Sequence, residues 1–124
     1  MKDRSDPTQI RQSLRVPVDN QDDISVILEN KSYRVVNLCQ DGVNIANPDH
    51  SPFTIGELIK NCDLVLPGGS ISNLTARIIH CSCESDGNWN NGIQWTDLTE
   101  NGLKQIAETV LTIKQKLRKQ FNPV

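Results

Sequence analysis

Two histidines, four cysteines and a pair of arginines four residues apart are the side chains of this 124-residue sequence whose types could do chemistry. Histidine serves as a general base only with a nucleophile held at a strained turn within its reach. His50 lies in the loop Asn47-Pro48-Asp49-His50-Ser51-Pro52, with no nucleophile-elbow motif anywhere in the chain. His80 sits in an alternating run, where a structural role is expected. The acids Asp22-Asp23 fall in a polar stretch and read as solvated. No catalytic residues are expected, and the chain does not read as an enzyme.

The cysteines are Cys39, Cys62, Cys81 and Cys83. His80-Cys81-Ser82-Cys83 gathers three possible zinc ligands, with Cys62 elsewhere. Structural zinc sites, however, use pairs spaced Cys-x₂₋₄-Cys or His-x₃₋₅-His. Alternation along a strand sets Cys81 and Cys83 on one face and His80 on the other. Small thiols are frequent core residues, so no metal and no cofactor are expected. The opening Met1-Lys2-Asp3-Arg4-Ser5-Asp6-Pro7 has no apolar stretch of a secretory kind, so the thiols are expected to stay reduced. Pro67-Gly68-Gly69-Ser70 lacks the spacing of a phosphate-binding loop and reads as a turn.

Arg11-Gln12-Ser13-Leu14-Arg15 and Asn37-Leu38-Cys39-Gln40-Asp41-Gly42 remain. A guanidinium grips phosphate through a planar fork and reads guanine at O6 and N7. Asn37 and Cys39, two apart on a strand, share a face, and Gly42 permits close backbone approach. Together these residues would suit a phosphate ligand that carries guanine.

The elements that must position them are short. Ile24–Leu28 and Tyr33–Leu38 read as a hairpin joined through Asn30-Lys31-Ser32, and Val43–Ile45 resumes after the Asp41-Gly42 turn signal. Leu64–Leu66, Leu74–Cys83 and Gly92–Trp95 complete about six strands. In the fifth, Leu74, Ala76, Ile78 and His80 are expected on one side and Thr75, Arg77, Ile79 and Cys81 on the other. From Leu103 the apolar spacing changes to three and four, which predicts a helix over about 99–120. Asp97-Leu98-Thr99-Glu100 has the form of a capping box before it. The expected fold is all-β with a C-terminal helix, an antiparallel barrel whose opening or face the helix covers.

Hydrophobic residues make up 36% of the chain and aromatics 4%, which predicts one domain with an aliphatic core. No apolar run reaches the roughly 18 residues of a membrane span. A soluble, cytoplasmic protein is expected, with no membrane insertion. The net charge of −2 argues against nucleic acid as a partner. That charge is unevenly spread, with a net of +2 over residues 1–15, −8 over 16–103 and +4 over 104–119. An anion would meet the chain's two ends, although bases late in a helix also suit its dipole.

The order Arg-x-x-x-Arg, two strands, Asn-x-Cys-x-x-Gly, further strands ending Gly-Ile-Gln-Trp-Thr-Asp-Leu, then a helix, resembles the PilZ domain family. The resemblance runs from about Ile10 to Gln120. It implies a six-stranded, split β-barrel, with 1–9 as a flexible arm and 10–124 as a single domain. It also implies binding of the bacterial second messenger cyclic di-GMP, with Arg11 and Arg15 on phosphates and guanine edges and Asn37, Cys39 and Gly42 on the barrel's half of the site. The family pattern has serine where this chain has Cys39, and a thiol is a weaker hydrogen-bonding group. The alternative is a PilZ-like interaction module that does not bind the nucleotide. In the receptor reading the arm closes over the barrel with ligand and alters a surface shown to a protein partner. Motility, exopolysaccharide and adhesion are the outputs the family implies.

Overall fold

The computed structural model describes residues 15–47, 53–83 and 87–121. The expected arm, Arg11 and His50 lie outside them. Seven strands and one long helix follow in order: β1 Val16–Pro17, β2 Ser25–Leu28, β3 Lys31–Cys39, β4 Gly42–Asn47, β5 Leu58–Leu66, β6 Gly69–Cys83, β7 Trp89–Trp95 and α1 Glu100–Phe121. A 3₁₀ turn, Asn20–Asp22, separates β1 from β2.

Every strand pairing is antiparallel, and six strands close on themselves. β2 pairs with β3 and β5, β5 with β6, β6 with β7, β7 with β4, and β4 with β3. β1 is an addition to this ring. It lies on β3 beyond the end of β2, with Val16 opposite Leu38 and Pro17 opposite Asn37. The barrel and C-terminal helix thus match the architecture expected from the patterning. β5 is longer than that patterning showed, because Leu58-Ile59-Lys60-Asn61 precedes a register shift around Cys62 that breaks the alternation.

Two hairpin turns have clear local causes. Leu28 pairs with Lys31, so the β2–β3 turn is Glu29-Asn30 rather than Asn30-Lys31-Ser32. Both turn residues have positive φ, +51° and +67°, the backbone twist that two-residue hairpins favour. Pro67-Gly68 turns β5 into β6, as expected, with Leu66 opposite Gly69.

The core is aliphatic. Val26, Leu28, Val35, Leu38, Ile45, Leu64 and Ile78 fill the barrel, and Tyr33 and Trp95 are its buried aromatics. Asn47 and Asn91 are the buried polar residues of the described chain. Asn91 accepts from Asn47 at 3.5 Å and donates to Cys81 Sγ at 3.2 Å, while that thiol donates to the Phe53 carbonyl at 3.1 Å. All four cysteines are reduced.

α1 buries Ile106, Val110 and Ile113, the three- and four-residue spacing of one helical face. It packs on β1 and β3. Full burial of each such side chain contributes roughly 1.5–3 kcal/mol. The N-cap is Thr99, whose hydroxyl accepts from Gly102 N at 3.1 Å. The expected capping box at Asp97 is therefore corrected. Asp97 instead accepts from Thr75 N at 2.9 Å and fastens the start of the helix to β6. Near the other end, Lys116 reaches Asp22 Oδ1 at 2.5 Å and Asp19 Oδ2 at 3.7 Å. Asp22 is accordingly not solvated. Its side chain is 9% exposed and also accepts from Asp19 N, completing a cap on the 3₁₀ turn.

Candidate functional site

The residues expected to bind ligand come together where β3, β4, β6 and β7 run side by side. Cross-strand pairing sets two rows across the outer wall of the barrel. The first row is Asn37, Asn44, Gly92 and His80, and the second is Cys39, Gly42, Gln94 and Arg77. Arg15, one residue before β1, stands beside the first two strands of these rows. Arg15, Asn37, Cys39 and Gly42 line one cavity of about 550 Å³, together with Asp41, Asn44, Ile79, His80, Gly92 and Gln94. Four of the five expected site residues thus share a cavity. The fifth, Arg11, lies outside the described residues.

Two β-bulges decide which side chains face this cavity. Tyr33 and Val35 point into the core, and strict alternation would send Asn37 inward with them. The pairing register shifts between Val35 and Asn37. The extra residue turns Asn37 outward while Leu38 takes the core position. A second shift falls between Ile78 and His80. Ile78 is buried, whereas Ile79 is 51% exposed and His80 is also exposed. The expectation that His80 shares a face with Ile78 is therefore corrected: the bulge reverses the alternation and aims the imidazole into the cavity. The same reversal turns Cys81 toward the core, and the unbroken register beyond it keeps Cys83 on the same face, exposed at the end of the strand.

Each floor residue has a physical reason for its identity. A β-carbon on Gly42 would stand 2.2 Å from the Ile93 carbonyl oxygen, so glycine is required by the approach of β4 to β7. On Gly92 a β-carbon would lie 3.0 Å from His80 Cβ and 3.1 Å from Asn44 Oδ1. Its absence lets those two side chains draw together above it. The Cys39 thiol donates to the Gly42 carbonyl at 3.3 Å across the β3–β4 turn. Burial pushes this thiol's pKa up and the Asp41 carboxylate adds to the rise, outweighing the opposite pull of Arg15 and the local hydrogen bonds. Cys39 is thus a neutral, half-buried thiol rather than a reactive thiolate.

The lining presents one guanidinium, two amides of asparagine, one of glutamine, an imidazole and one carboxylate. Such a set can hold a polar, hydrogen-bonding anion on a flat floor. It offers no activated nucleophile. Among the described residues no three histidine, cysteine or acidic side chains converge to hold a metal, and no helix is long and apolar enough to cross a membrane. His80, Asn44 and Gln94 were not legible as site residues, because only the cross-strand register brings them beside Asn37.

No family model matches the sequence, and no curated protein matches it. Solved structures do. MrkH of K. pneumonia in complex with c-di-GMP superposes with a TM-score of 0.72 at 13% identity, covering 86% of this chain and 53% of that one. YcgR from Escherichia coli in complex with c-di-GMP gives 0.69 at 10% identity, covering 88% and 48%. The PilZ domain of YcgR with c-di-GMP gives 0.65 at 11% identity, covering 89% and 95%. The chain therefore spans about half the length of the MrkH and YcgR chains and nearly all of the isolated PilZ domain. A six-strand antiparallel barrel with one added strand and a C-terminal helix, superposing over almost the full length of a PilZ domain, is a PilZ-like fold, as the order of the motifs implied.

Proposed function

We propose that this chain is a receptor for cyclic di-GMP and that it performs no catalysis. The observation that carries the reading is the convergence of Arg15, Asn37, Cys39 and Gly42 on one cavity, in a fold shared with proteins solved with that nucleotide. Arg15 meets phosphate or a guanine edge, with Arg11 joining it from the N-terminal arm. Asn37 and Cys39 meet the ligand from β3, and the bare Gly42 keeps the floor flat. Arm closure with ligand then changes the surface offered to a protein partner in the cytoplasm of a bacterium, where motility or biofilm formation is the regulated output. The acidic balance of the chain disfavours nucleic acid as that partner.

The test is calorimetric titration with cyclic di-GMP, with GTP and cyclic GMP as controls and Arg15→Ala beside the wild type. Specific binding at micromolar or tighter affinity, weakened at least ~10-fold by Arg15→Ala, is expected, since a charge-assisted hydrogen bond contributes about 1.5–3 kcal/mol. Absence of binding in an orthogonal assay as well would overturn the receptor reading.

One observation favours a second reading. The Asp41 carboxylate lies on the same lining as Arg15, the one arginine there among the described residues, and Cys39 offers a weaker acceptor than serine. A chain that has given up the nucleotide and works through protein contacts alone would carry both features. The titration separates the two.

A further inference from the structure

Cyclic di-GMP carries two phosphodiester charges, whereas the described lining of the cavity offers one permanent cation, Arg15, and one carboxylate, Asp41. Those two cancel. One other described group on the lining can become positive, the imidazole of His80. Arg15 stands beside β3, at one end of the row Asn37, Asn44, Gly92 and His80, and His80 closes that row on β6. Paired strands lie about 4.8 Å apart, so three spacings along the wall, roughly 14 Å, separate β3 from β6. The bulge after Ile78 turns the imidazole outward, and the bare Gly92 leaves it room to lean toward Asn44. The floor between the two ends is uncharged. Such a layout suits a ligand with two separated anionic groups better than one with a single anion.

We propose that His80, as an imidazolium, is the second cationic contact of the cavity and binds the phosphate farther from Arg15, so that affinity for the nucleotide rises as pH falls. This rests on the receptor reading and assigns it a residue on β6. From β4 and β7, Asn44, Gly92 and Gln94 face His80 without charge. Across the cavity stand Arg15, Asp41 and the Cys39 thiol. On β6 itself Arg77 lies in the neighbouring row, and before β5 the Glu57 carboxylate accepts from Thr54 N at 2.9 Å. Guanidinium stays charged throughout, carboxylates ordinarily titrate below pH 5 and thiols above pH 8. Between about pH 5.5 and 8, histidine is therefore the lining residue type that changes charge. Linkage is reciprocal: a ligand that prefers the imidazolium must raise the pH at which that ring loses its proton.

The experiment titrates the full chain with cyclic di-GMP by calorimetry at several values from pH 5.5 to 8, at constant ionic strength, beside His80→Gln and Arg15→Ala. His80 is exposed, so the glutamine variant is expected to fold, which thermal unfolding checks. Wild-type affinity is expected to rise ~10-fold from pH 8 to 5.5, the value of one charge-assisted contact. His80→Gln is expected to vary less than ~2-fold over that range, which separates His80 from His50 and the terminal amine. Arg15→Ala is expected to bind more weakly at every pH yet keep the wild-type slope. An NMR titration of the His80 ring, assigned by its loss in His80→Gln, is expected to shift its midpoint up by about one pH unit with saturating nucleotide. Binding that keeps the same slope in His80→Gln, or a ring midpoint unmoved by ligand, would overturn this role and leave the receptor reading standing. No binding by the wild type at any pH would overturn both.

Discussion

Lys116 Nζ lies 2.5 Å from Asp22 Oδ1, joining the last turns of α1 to the 3₁₀ turn that follows β1. Burial alone would raise the Asp22 pKa, but the hydrogen bond from Lys116, those around Asp19 and the ammonium charge outweigh it, and the net shift is downward. A carboxyl whose pKa is lowered on folding contributes stability above its unfolded value, about 3.9, and loses it as pH falls through the folded value.

Asp22→Asn is therefore expected to lower stability at pH 7 and to flatten the loss of stability of the wild type below about pH 4. Urea denaturation at pH 3 and pH 7 checks this. Asp22→Asn retaining the full acid sensitivity of the wild type would show that another carboxylate carries it.

Gly42→Ala places a β-carbon 2.2 Å from the Ile93 carbonyl oxygen, a backbone atom that cannot rotate away. Overpacking of this kind is expected to cost about 2–3 kcal/mol and to part β4 from β7. The measurement is the chemical denaturation midpoint, read beside Gly68→Ala, where the added carbon meets nothing. Equal midpoints would contradict the close approach of the two strands.

Cys39→Ser keeps the hydrogen bond to the Gly42 carbonyl and adds a hydroxyl oxygen able to accept strongly. If the cavity binds cyclic di-GMP, the substitution is expected to tighten binding by roughly 5- to 10-fold, the value of one neutral hydrogen bond of about 1 kcal/mol. Calorimetry on the two proteins in one buffer reads the difference, and weaker binding by the serine variant would remove Cys39 from the ligand's reach.

Glu29 holds φ at +51° in the β2–β3 turn, a conformation that costs most L-residues about 1–2 kcal/mol. Glu29→Asn with Asn30→Gly supplies the residues such a turn favours. The double variant is expected to gain about 1 kcal/mol and a few degrees in Tm. A lower Tm would show that the Glu29 side chain makes a contact worth more than the strain.

What could be read from the sequence depended on where alternation stays intact. β2, β4 and the face of α1 follow their periods, so Val26, Leu28, Ile45, Ile106 and Val110 are core residues in the sequence and in the barrel alike. The reading failed at single inserted residues. Nothing near Ile79 marks a bulge, so alternation alone puts His80 on the same side as Ile78. Leu58 to Asn61 gave no strand signal because the register slips around Cys62. Asp22 read as solvated because its partner, Lys116, is remote in sequence. The motif order placed Arg15, Asn37, Cys39 and Gly42 together, yet half of the cavity floor comes from β6 and β7, whose contribution only pairing reveals.

The closed ring has a kinetic consequence. β7, the last strand, sits between β4 and β6 and supplies Gly92 and Gln94 to the floor. During synthesis, the strands that emerge earlier hold no complete cavity until this final piece inserts. Pairings this distant in sequence form slowly. The cavity is therefore completed only at the end of folding, and a truncated product ending before Trp89 would lack Gly92 and Gln94 from its floor.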